Sequence, residues 1–209
     1  MEIIEPYVVI EDEIDGEEIL KKLEKAGRTC YKSEGKINTG SARSFLETII
    51  KLGHETILEH EKITVRIICD RGVTHEIVRH RIASYSQEST RYCNYGLGKF
   101  GGKITVIKPC FWNSGDEKDK VKQELWKAAM KAAEEYYLKL TESGATAQEA
   151  RSVLPNSLKT EIVMTANLRE WRHFFKLRCS SKAHPQIREI ALSLLEKFKL
   201  KIPVIFDDI

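Results

Sequence analysis

The most distinctive stretch of this chain is residues 79–91, which reads Arg79-His80-Arg81-Ile82-Ala83-Ser84-Tyr85-Ser86-Gln87-Glu88-Ser89-Thr90-Arg91. Three arginines and a histidine share this short segment with five side chains that carry a hydroxyl group. Arginine presents its donors in a rigid fork that matches a phosphate or a carboxylate, and it stays charged at any working pH. Hydroxyl groups add the donors that a phosphate ester or a pyrimidine ring edge requires. The segment therefore predicts either a pocket for a small planar anion or a solvated basic turn.

The spacing of this segment resembles the signature of the flavin-dependent thymidylate synthases, in which Arg-His-Arg is followed by seven residues, a serine, one residue and an arginine. In this chain the pattern falls without a gap on Arg79, His80, Arg81, Ser89 and Arg91. The resemblance extends over about residues 40–190. Outside the signature it is carried by His54-Glu55-Thr56, Glu59-His60, Arg151 to Pro155, Asn167 and Leu177-Arg178.

The resemblance implies an enzyme that converts dUMP to dTMP by reductive methylation. In that family FAD reduced by NADPH supplies the hydride, and methylenetetrahydrofolate supplies the one-carbon unit. Because the hard redox chemistry belongs to the cofactor, the protein aligns and polarises the nucleotide. Hairpin-like strand pairs mixed with several helices indicate an α+β fold with a mostly antiparallel sheet, and the absence of repeats and linkers indicates a single domain over residues 1–209. The resemblance implies the same fold, a central twisted sheet flanked by helices, assembled as a homotetramer.

The resemblance assigns site residues by position. It gives flavin contacts to Thr56, Arg79, His80, Arg81, Asn167, Leu168, Arg169 and His173. It gives nucleotide contacts to Glu76, Arg79, Gln87, Glu88, Ser89, Thr90, Arg91, Arg151 and Arg178. The last of these lies beside the uracil ring in the family, where a fixed positive charge can stabilise negative charge that develops on the pyrimidine.

Ser89 and Arg178 are the two candidate catalytic residues. A serine hydroxyl becomes nucleophilic only beside a general base, and no sequence feature places a base next to Ser89. We therefore expect Ser89 to position the uracil by hydrogen bonding. Without the resemblance, a structural ion pair would explain Arg178 and a surface position would explain Arg151; Asn167 can cap a helix and contact a ligand at the same time.

Two other functions remain open from the residues alone. Tyrosines interleaved with arginines between Arg79 and Tyr95 are typical of proteins that bind single-stranded nucleic acid. The formal net charge of only +3, from 34 basic and 31 acidic residues, argues against such a partner. A phosphate-handling hydrolase that uses His80 as an acid or a nucleophile is the second alternative.

Composition sets further expectations. The chain has no apolar run near the roughly 20 residues of a membrane span, and its first residues do not resemble a secretory signal. Its five cysteines show no CxxC spacing, and His54 and His60 lack the spacing of a zinc motif. We therefore expect a cytoplasmic protein that binds neither membranes nor metal.

Apolar periodicity and capping residues predict the elements of secondary structure. The predicted strands cover residues 7–10, 62–67 and 104–107, and residues 157–165 fit a strand or a short helix. The predicted helices cover residues 15–26, 41–52, 73–82 and 114–143, a short stretch before Pro155, a segment that starts at Asn167, and residues 185–199. Residues 84–91 are predicted as a loop.

Three helix starts rest on capping pairs, namely Ser114 with Glu117, Thr146 with Glu149, and Asn167 with Glu170. The stretch from Gly96 to Gly101 matches G-x-G-x-x-G, but it leads into a predicted strand. A dinucleotide fingerprint has to open a helix, so we expect a loop here and no such site.

Glu76 departs from the family pattern, because many members carry a glutamine three residues before the signature. A carboxylate beside an anionic nucleotide must pair with a cation or be protonated. We therefore expect Glu76→Gln to leave the affinity for dUMP unchanged or to raise it, as measured by calorimetry. A large loss of affinity would mean that the Glu76 carboxylate makes a specific contact.

Overall fold

The computed structural model describes all 209 residues and contains six strands and seven α-helices. The strands are β1 (Glu2–Ile4), β2 (Tyr7–Ile10), β3 (Lys62–Asp70), β4 (Ala83–Gln87), β5 (Thr105–Ile107) and β6 (Lys159–Asn167). The helices are α1 (Gly16–Thr29), α2 (Ser41–Lys51), α3 (Arg71–Ile77), α4 (Glu117–Glu142), α5 (Ala147–Ala150), α6 (Leu168–Arg178) and α7 (Pro185–Lys201). Short 3₁₀ helices cover Glu34–Lys36, Glu55–His60, Gly98–Phe100 and Arg151–Val153. This mixture of strands and helices confirms the predicted α+β class.

The main sheet has four strands in the order β2-β3-β6-β4, and β1 pairs with β5 in a separate two-stranded sheet. Strands β3 and β6 run antiparallel: the N–H of Leu168 donates to the carbonyl of Glu61, and the N–H of Arg71 donates to the carbonyl of Leu158. The β1–β5 pair is parallel. The antiparallel pair β3–β6 therefore forms the centre of the main sheet.

Backbone contacts group the residues into two compact units. The first comprises Met1–Tyr7, Ile67–Arg79 and Ser86–Ile162, and the second comprises Val8–Arg66, His80–Tyr85 and Val163–Ile209. In the first, Tyr95, Ile104, Met130 and Tyr137 form a core, and the N–H of Tyr95 donates to the Tyr137 hydroxyl over 3.1 Å. The prediction of a single domain stays a prediction.

The core of the second unit is aromatic. Trp171, Phe174 and Phe175 of α6 pack with Phe198 of α7 and with Phe206, at ring-centroid distances between 5.1 and 5.9 Å. All five side chains are fully buried. Burial of a large apolar side chain contributes about 2 kcal/mol, so this cluster fixes how α6 is rotated.

The loop predicted for residues 84–91 is wrong in its first half, because residues 83–87 form β4. Ala83, Tyr85 and Gln87 are half-buried while Ser84 and Ser86 are exposed, so the strand has the expected period of two. A hydrophobicity scale does not show this alternation, because the inward-facing Gln87 is polar like the exposed serines. The helix predicted over 73–82 is also too long, since α3 begins after the capping Asp70 and ends at Ile77.

The capping pairs were predicted with mixed success. The Thr146–Glu149 box and the Asn167 cap are confirmed. The Ser114–Glu117 box is wrong, because the Asp116 carboxylate accepts from the N–H of Asp119 over 2.7 Å and starts α4. The glycine-rich stretch 96–101 contains the short 3₁₀ helix Gly98–Phe100 and leads to β5 and not to an α-helix, so the context of a dinucleotide fingerprint is missing. No helix in this structure has the length and apolarity to cross a bilayer.

Candidate active site

Helix α6 carries one end of the site. It begins where the Asn167 side-chain oxygen accepts from the N–H of Glu170 over 2.8 Å. The indole N–H of Trp171 donates to the carbonyl of Ile63 over 3.0 Å and ties the helix to β3. Because its aromatic face is fixed in the core, α6 holds Glu170 in its first turn and Arg178 at its last residue in defined places.

A chain of two hydrogen bonds links these two residues through His80. The Nδ1 atom of His80 lies 3.0 Å from Oε1 of Glu170. On the other side of the ring, the Nε–H of Arg178 donates to Nε2 of His80 over 3.1 Å. His80 and Glu170 are buried, at 4 % and 7 % exposure, whereas Arg178 is half-buried. The site thus contains a carboxylate, an imidazole and a guanidinium that are joined in this order by hydrogen bonds.

The environment of His80 favours the neutral ring. Burial lowers the pKa of His80, and the positive charge of Arg178 lowers it further, while the hydrogen bond to Glu170 opposes both effects. The hydroxyl of Tyr85 donates to the backbone carbonyl of His80 over 2.6 Å, and burial raises the pKa of that tyrosine to about 12. His80 has both ring nitrogens engaged and is almost inaccessible, which argues against the alternative of a hydrolase that uses it as acid or nucleophile.

A cleft of about 490 Å³ lies on this unit. It is lined by Glu55, Glu59, Ile82, Asn167, Arg169, Glu170, His173 and Lys176. Two of its cations are paired, Arg169 with Glu59 over 2.5 Å and Lys176 with Glu55 over 3.3 Å. Such a volume is within the usual range for a small-molecule site, and its lining offers both signs of charge.

Glu55 is held in the cleft from behind by a buried arginine. Arg172 is 1 % exposed, and its guanidinium contacts Glu55 over 3.1 Å and both carboxylate oxygens of Asp208 over 2.6 and 2.7 Å. It also donates to the backbone carbonyl of Ile205. One buried cation therefore connects the cleft wall to the C-terminal segment.

The second half of the signature lies in the first unit. Glu88 accepts from the Tyr95 hydroxyl over 2.6 Å and from the Lys159 ammonium over 2.8 Å. The side-chain amide of Gln87 donates to Thr74 and Thr160 over 3.1 and 3.3 Å. Both side chains thus take part in internal hydrogen bonds that fix the end of β4.

The residues after β4 form a turn. The Ser89 carbonyl accepts from the N–H groups of Tyr92 and Cys93, and its hydroxyl accepts from the N–H of Arg91 over 3.3 Å. No base contacts the Ser89 hydroxyl, in keeping with a positioning role. Thr90 is buried, and the Arg91 guanidinium lies over the Tyr92 ring, 5.5 Å from its centroid.

The remaining predicted residues differ in accessibility. Those with exposed side chains are Thr56, Arg79, Arg81, Arg151, Arg169 and His173. Glu76 is half-buried. Leu168 is fully buried and its N–H bonds to Glu61, so a flavin contact by this residue stays a prediction. The structure groups His80, Arg81, Asn167, Leu168, Arg169, His173, Arg178 and Thr56 in the second unit. Glu76, Arg79, Gln87, Glu88, Ser89, Thr90, Arg91 and Arg151 belong to the first.

Sequence reasoning did not identify five side chains that line the cleft, namely Glu55, Glu59, Ile82, Glu170 and Lys176. The sequence identifies Glu170 only as a capping partner of Asn167. The helical spacing of these residues was an available signal. Along one helix, His173 lies one turn after Glu170, and Arg178 lies about two turns after Glu170. The contact with His80 is separated by 90 positions in sequence and carries no local signal.

His80, Glu170 and His173 also meet the distance requirement of a metal site, since one ligand atom from each lies within 4.8 Å of the others. The hydrogen bonds already described engage both ring nitrogens of His80, and a cationic guanidinium faces one of them. A divalent cation bound to His80 would have to break one of these two hydrogen bonds. The expectation of no metal therefore stays a prediction that this geometry supports.

The α+β fold thus carries a charged cleft whose wall residue Glu170 contacts a buried imidazole, and that imidazole accepts a hydrogen bond from an arginine. The family model described as "Thymidylate synthase complementing protein" (Thy1) matches residues 14–204. The chain belongs to this family.

Curated relatives agree with the family match. The flavin-dependent thymidylate synthase of Geobacter sulfurreducens is 38 % identical over 190 residues, which cover 88 % of this chain and 78 % of the relative. The flavin-dependent thymidylate synthase of Pyrococcus abyssi is 40 % identical over 163 residues, which cover 78 % of this chain and 64 % of the relative. Among solved structures, the UMP/dUMP methylase PolB from Streptomyces cacaoi, bound with 5-Br dUMP, has a TM-score of 0.79 at 24 % identity. That match covers 99 % of this chain and 96 % of PolB. The likeness to PolB concerns the fold alone.

The Arg172–Asp208 pair generates a pH-dependent prediction. Asp208→Asn should lower the free energy of unfolding by about 1 kcal/mol at pH 7, a modest value because water screens the half-exposed carboxylate. Arg172 holds the pKa of Asp208 below its usual value. The contribution is therefore present above the unfolded-state pKa of about 3.9 and is lost as the pH falls through the folded-state value.

Urea denaturation at a series of pH values measures this difference, and Glu196→Gln, at an exposed carboxylate of α7, is the control for the loss of one charge. The difference between wild type and Asp208→Asn should shrink below about pH 4. A difference that persists unchanged to low pH, or none at pH 7, would contradict the role of the pair.

Proposed function

We propose that this protein is a flavin-dependent thymidylate synthase, a methyltransferase that converts dUMP to dTMP with FAD as cofactor and with methylenetetrahydrofolate and NADPH as co-substrates. Family membership and the names of relatives at 38 and 40 % identity support the activity. The observation that carries the proposal most directly is the grouping of residues in the second unit. Asn167, Arg169 and His173 line one cleft, and His80 bonds to Glu170 of the same cleft.

The donor set of the cleft fits a flavin dinucleotide. Because the Asn167 oxygen accepts the helix-capping bond, its amino group remains the part that can donate to a ligand. Arg169 and Lys176 offer cations for a diphosphate, and exposed Ile82 and His173 offer surfaces for a ring. We propose that these residues bind FAD together with Thr56, Arg79, His80, Arg81 and Leu168. When bound and reduced by NADPH, FAD supplies the hydride.

We assign dUMP binding to the signature and its surroundings. The exposed guanidinium groups of Arg79, Arg91 and Arg151 suit a phosphate, which they can bind bidentately. Ser89 and Thr90 add hydroxyl donors in the adjacent turn. The internal bonds of Gln87 and Glu88 favour a role in holding that turn in shape, and the contact of Glu76 with the nucleotide stays a prediction.

Arg178 carries the chemical role in this proposal. Its anchored guanidinium is a fixed positive charge, and a preorganised charge stabilises negative charge on the pyrimidine without reorganisation during the reaction. Ser89 has no neighbouring base, so it orients the uracil by hydrogen bonding. The hydride and the one-carbon unit both come from bound molecules, and the protein supplies alignment and electrostatics.

We further propose that the protein works as a homotetramer with active sites built from more than one subunit. Several large apolar side chains near the signature are exposed in the single chain, among them Val78 at 43 %, Ile82 at 69 % and Tyr92 at 78 %. Covering such side chains would be favourable. A cytoplasmic location, with no nucleic acid or membrane as partner, completes the proposal.

A visible absorbance spectrum tests the proposal for the ligands. After incubation with FAD and passage through a desalting column, the protein should retain a flavin spectrum that shifts when dUMP is added. Such a perturbation of the flavin by dUMP is the result expected when the two ligands bind next to each other. A colourless protein that does not respond to dUMP would refute the proposal, and a salt-dependent gel shift with single-stranded DNA would then test the nucleic-acid alternative.

Sedimentation velocity tests the assembly. We expect a tetramer, and we expect activity to fall with the tetramer fraction on dilution, because each site needs residues from several subunits. A catalytically competent monomer would contradict the proposal of shared sites, while the proposed reaction would stand.

A further inference from the structure

We propose that Glu170 is a positioning residue for the reaction: through Nδ1 of His80 it fixes the one ring tautomer that can hold the guanidinium of Arg178. This inference rests on the proposed function, because the chemical role of Arg178 is assigned there. The role differs from that of a flavin contact, since Glu170 acts here through another side chain.

The direction of both hydrogen bonds follows from the chemistry of the three groups. A guanidinium has no acceptor, so Arg178 is the donor and Nε2 of His80 must present a lone pair. The single proton of the neutral ring then lies on Nδ1, which donates to the Glu170 carboxylate over 3.0 Å. In the opposite tautomer an N–H would face the N–H of Arg178, and a lone pair would face the carboxylate. Glu170 therefore selects the tautomer, as outer partners of histidine ligands do in metal sites.

Contacts with neighbouring residues hold Glu170 and His80 in place. Asn167 caps α6 through the N–H of Glu170, and the first turn of a helix favours a negative charge. His80 is fixed by the Tyr85 hydroxyl on its carbonyl and by the Phe174 ring, whose centroid lies 5.0 Å from the imidazole centroid. With Nε bound to His80, the long Arg178 side chain loses rotational freedom before the substrate arrives.

The arrangement fails if His80 becomes protonated, because a second N–H would then face the guanidinium. The charged and titratable groups that face His80 are Glu170, His173 and Arg178 from α6 and Tyr85 from β4. Of these, the carboxylate raises the pKa of His80, while Arg178 and His173 lower it. Removal of the Glu170 charge should therefore make His80 harder to protonate and should shift the acid limb of activity to lower pH.

The first experiment reads the tautomer directly, without turnover. The FAD-loaded protein is labelled with ¹⁵N-histidine, and ring nitrogen shifts are recorded by NMR across the neutral range. His80→Gln identifies the His80 signals among the six histidines. We expect a neutral ring with its proton on Nδ1. A proton on Nε2, or a ring that is charged at neutral pH, would overturn the inference whatever the protein catalyses.

The second experiment compares two substitutions at one position. Glu170→Gln keeps the shape and an acceptor oxygen, so kcat above neutral pH should stay within about threefold of wild type, while the acid limb of the kcat profile moves down by roughly one pH unit. Glu170→Leu removes the acceptor, and kcat should fall about 10-fold or more with little change in the Kd for FAD or dUMP. Glu196→Gln on α7 is the control for a lost charge and should match wild type.

The outcomes separate the two proposals. An unshifted acid limb in Glu170→Gln, or a wild-type kcat in Glu170→Leu, would overturn the positioning role while leaving the thymidylate synthase assignment in place. Failure of the wild-type protein to form dTMP would refute the proposed function, and the tautomer measurement, repeated on Glu170→Leu, would still decide whether Glu170 sets the state of His80.

Discussion

The packing of α6 is the constraint on which the rest of the second unit depends. Trp171, Phe174 and Phe175 must be buried together against Phe198 and Phe206, and the indole N–H must reach the carbonyl of Ile63. Rotation of the helix by one residue would place an aromatic side chain in water at a cost of about 2 kcal/mol. Because Glu170 and Arg178 lie on the same helix, this packing also determines their positions.

The buried charged groups of the site are stabilised by partners. In the second unit, the buried Arg172 is paired with Glu55 and Asp208, and the buried Glu170 faces the imidazole of His80. Burial and the nearby guanidinium keep that imidazole neutral, so it can accept a hydrogen bond from a cation. A neutral histidine between a carboxylate and an arginine makes the position of the arginine depend on a residue that no ligand has to touch.

Much of the fold could be predicted from the sequence, because local physical rules govern those elements. Asn167 and Thr146 start helices by side-chain capping, and the alternation in residues 62–67 predicts β3 correctly. Strand β4 escaped prediction because serine, tyrosine and glutamine in alternation do not look apolar, and only the neighbouring β6 reveals which residues face inward.

The site was predictable to the extent that a signature with fixed spacing marks it. What the spacing could not give is the set of partners across long sequence separations: Glu170 for His80, Lys159 for Glu88, and Asp208 for Arg172. These pairs depend on which strands and helices meet, and no local pattern encodes that. Sequence reasoning thus proposed candidate ligand contacts, but it could not identify the partners that hold these side chains in place.

The central claim is the reaction itself, and the most direct measurement is product formation by the purified protein. With dUMP, methylenetetrahydrofolate, NADPH and FAD, mass spectrometry should detect dTMP, and omission of NADPH or of the folate should abolish it. Absence of dTMP from the complete mixture, with FAD and dUMP both bound, would contradict the account, since the site would then hold its ligands without carrying out the methylation.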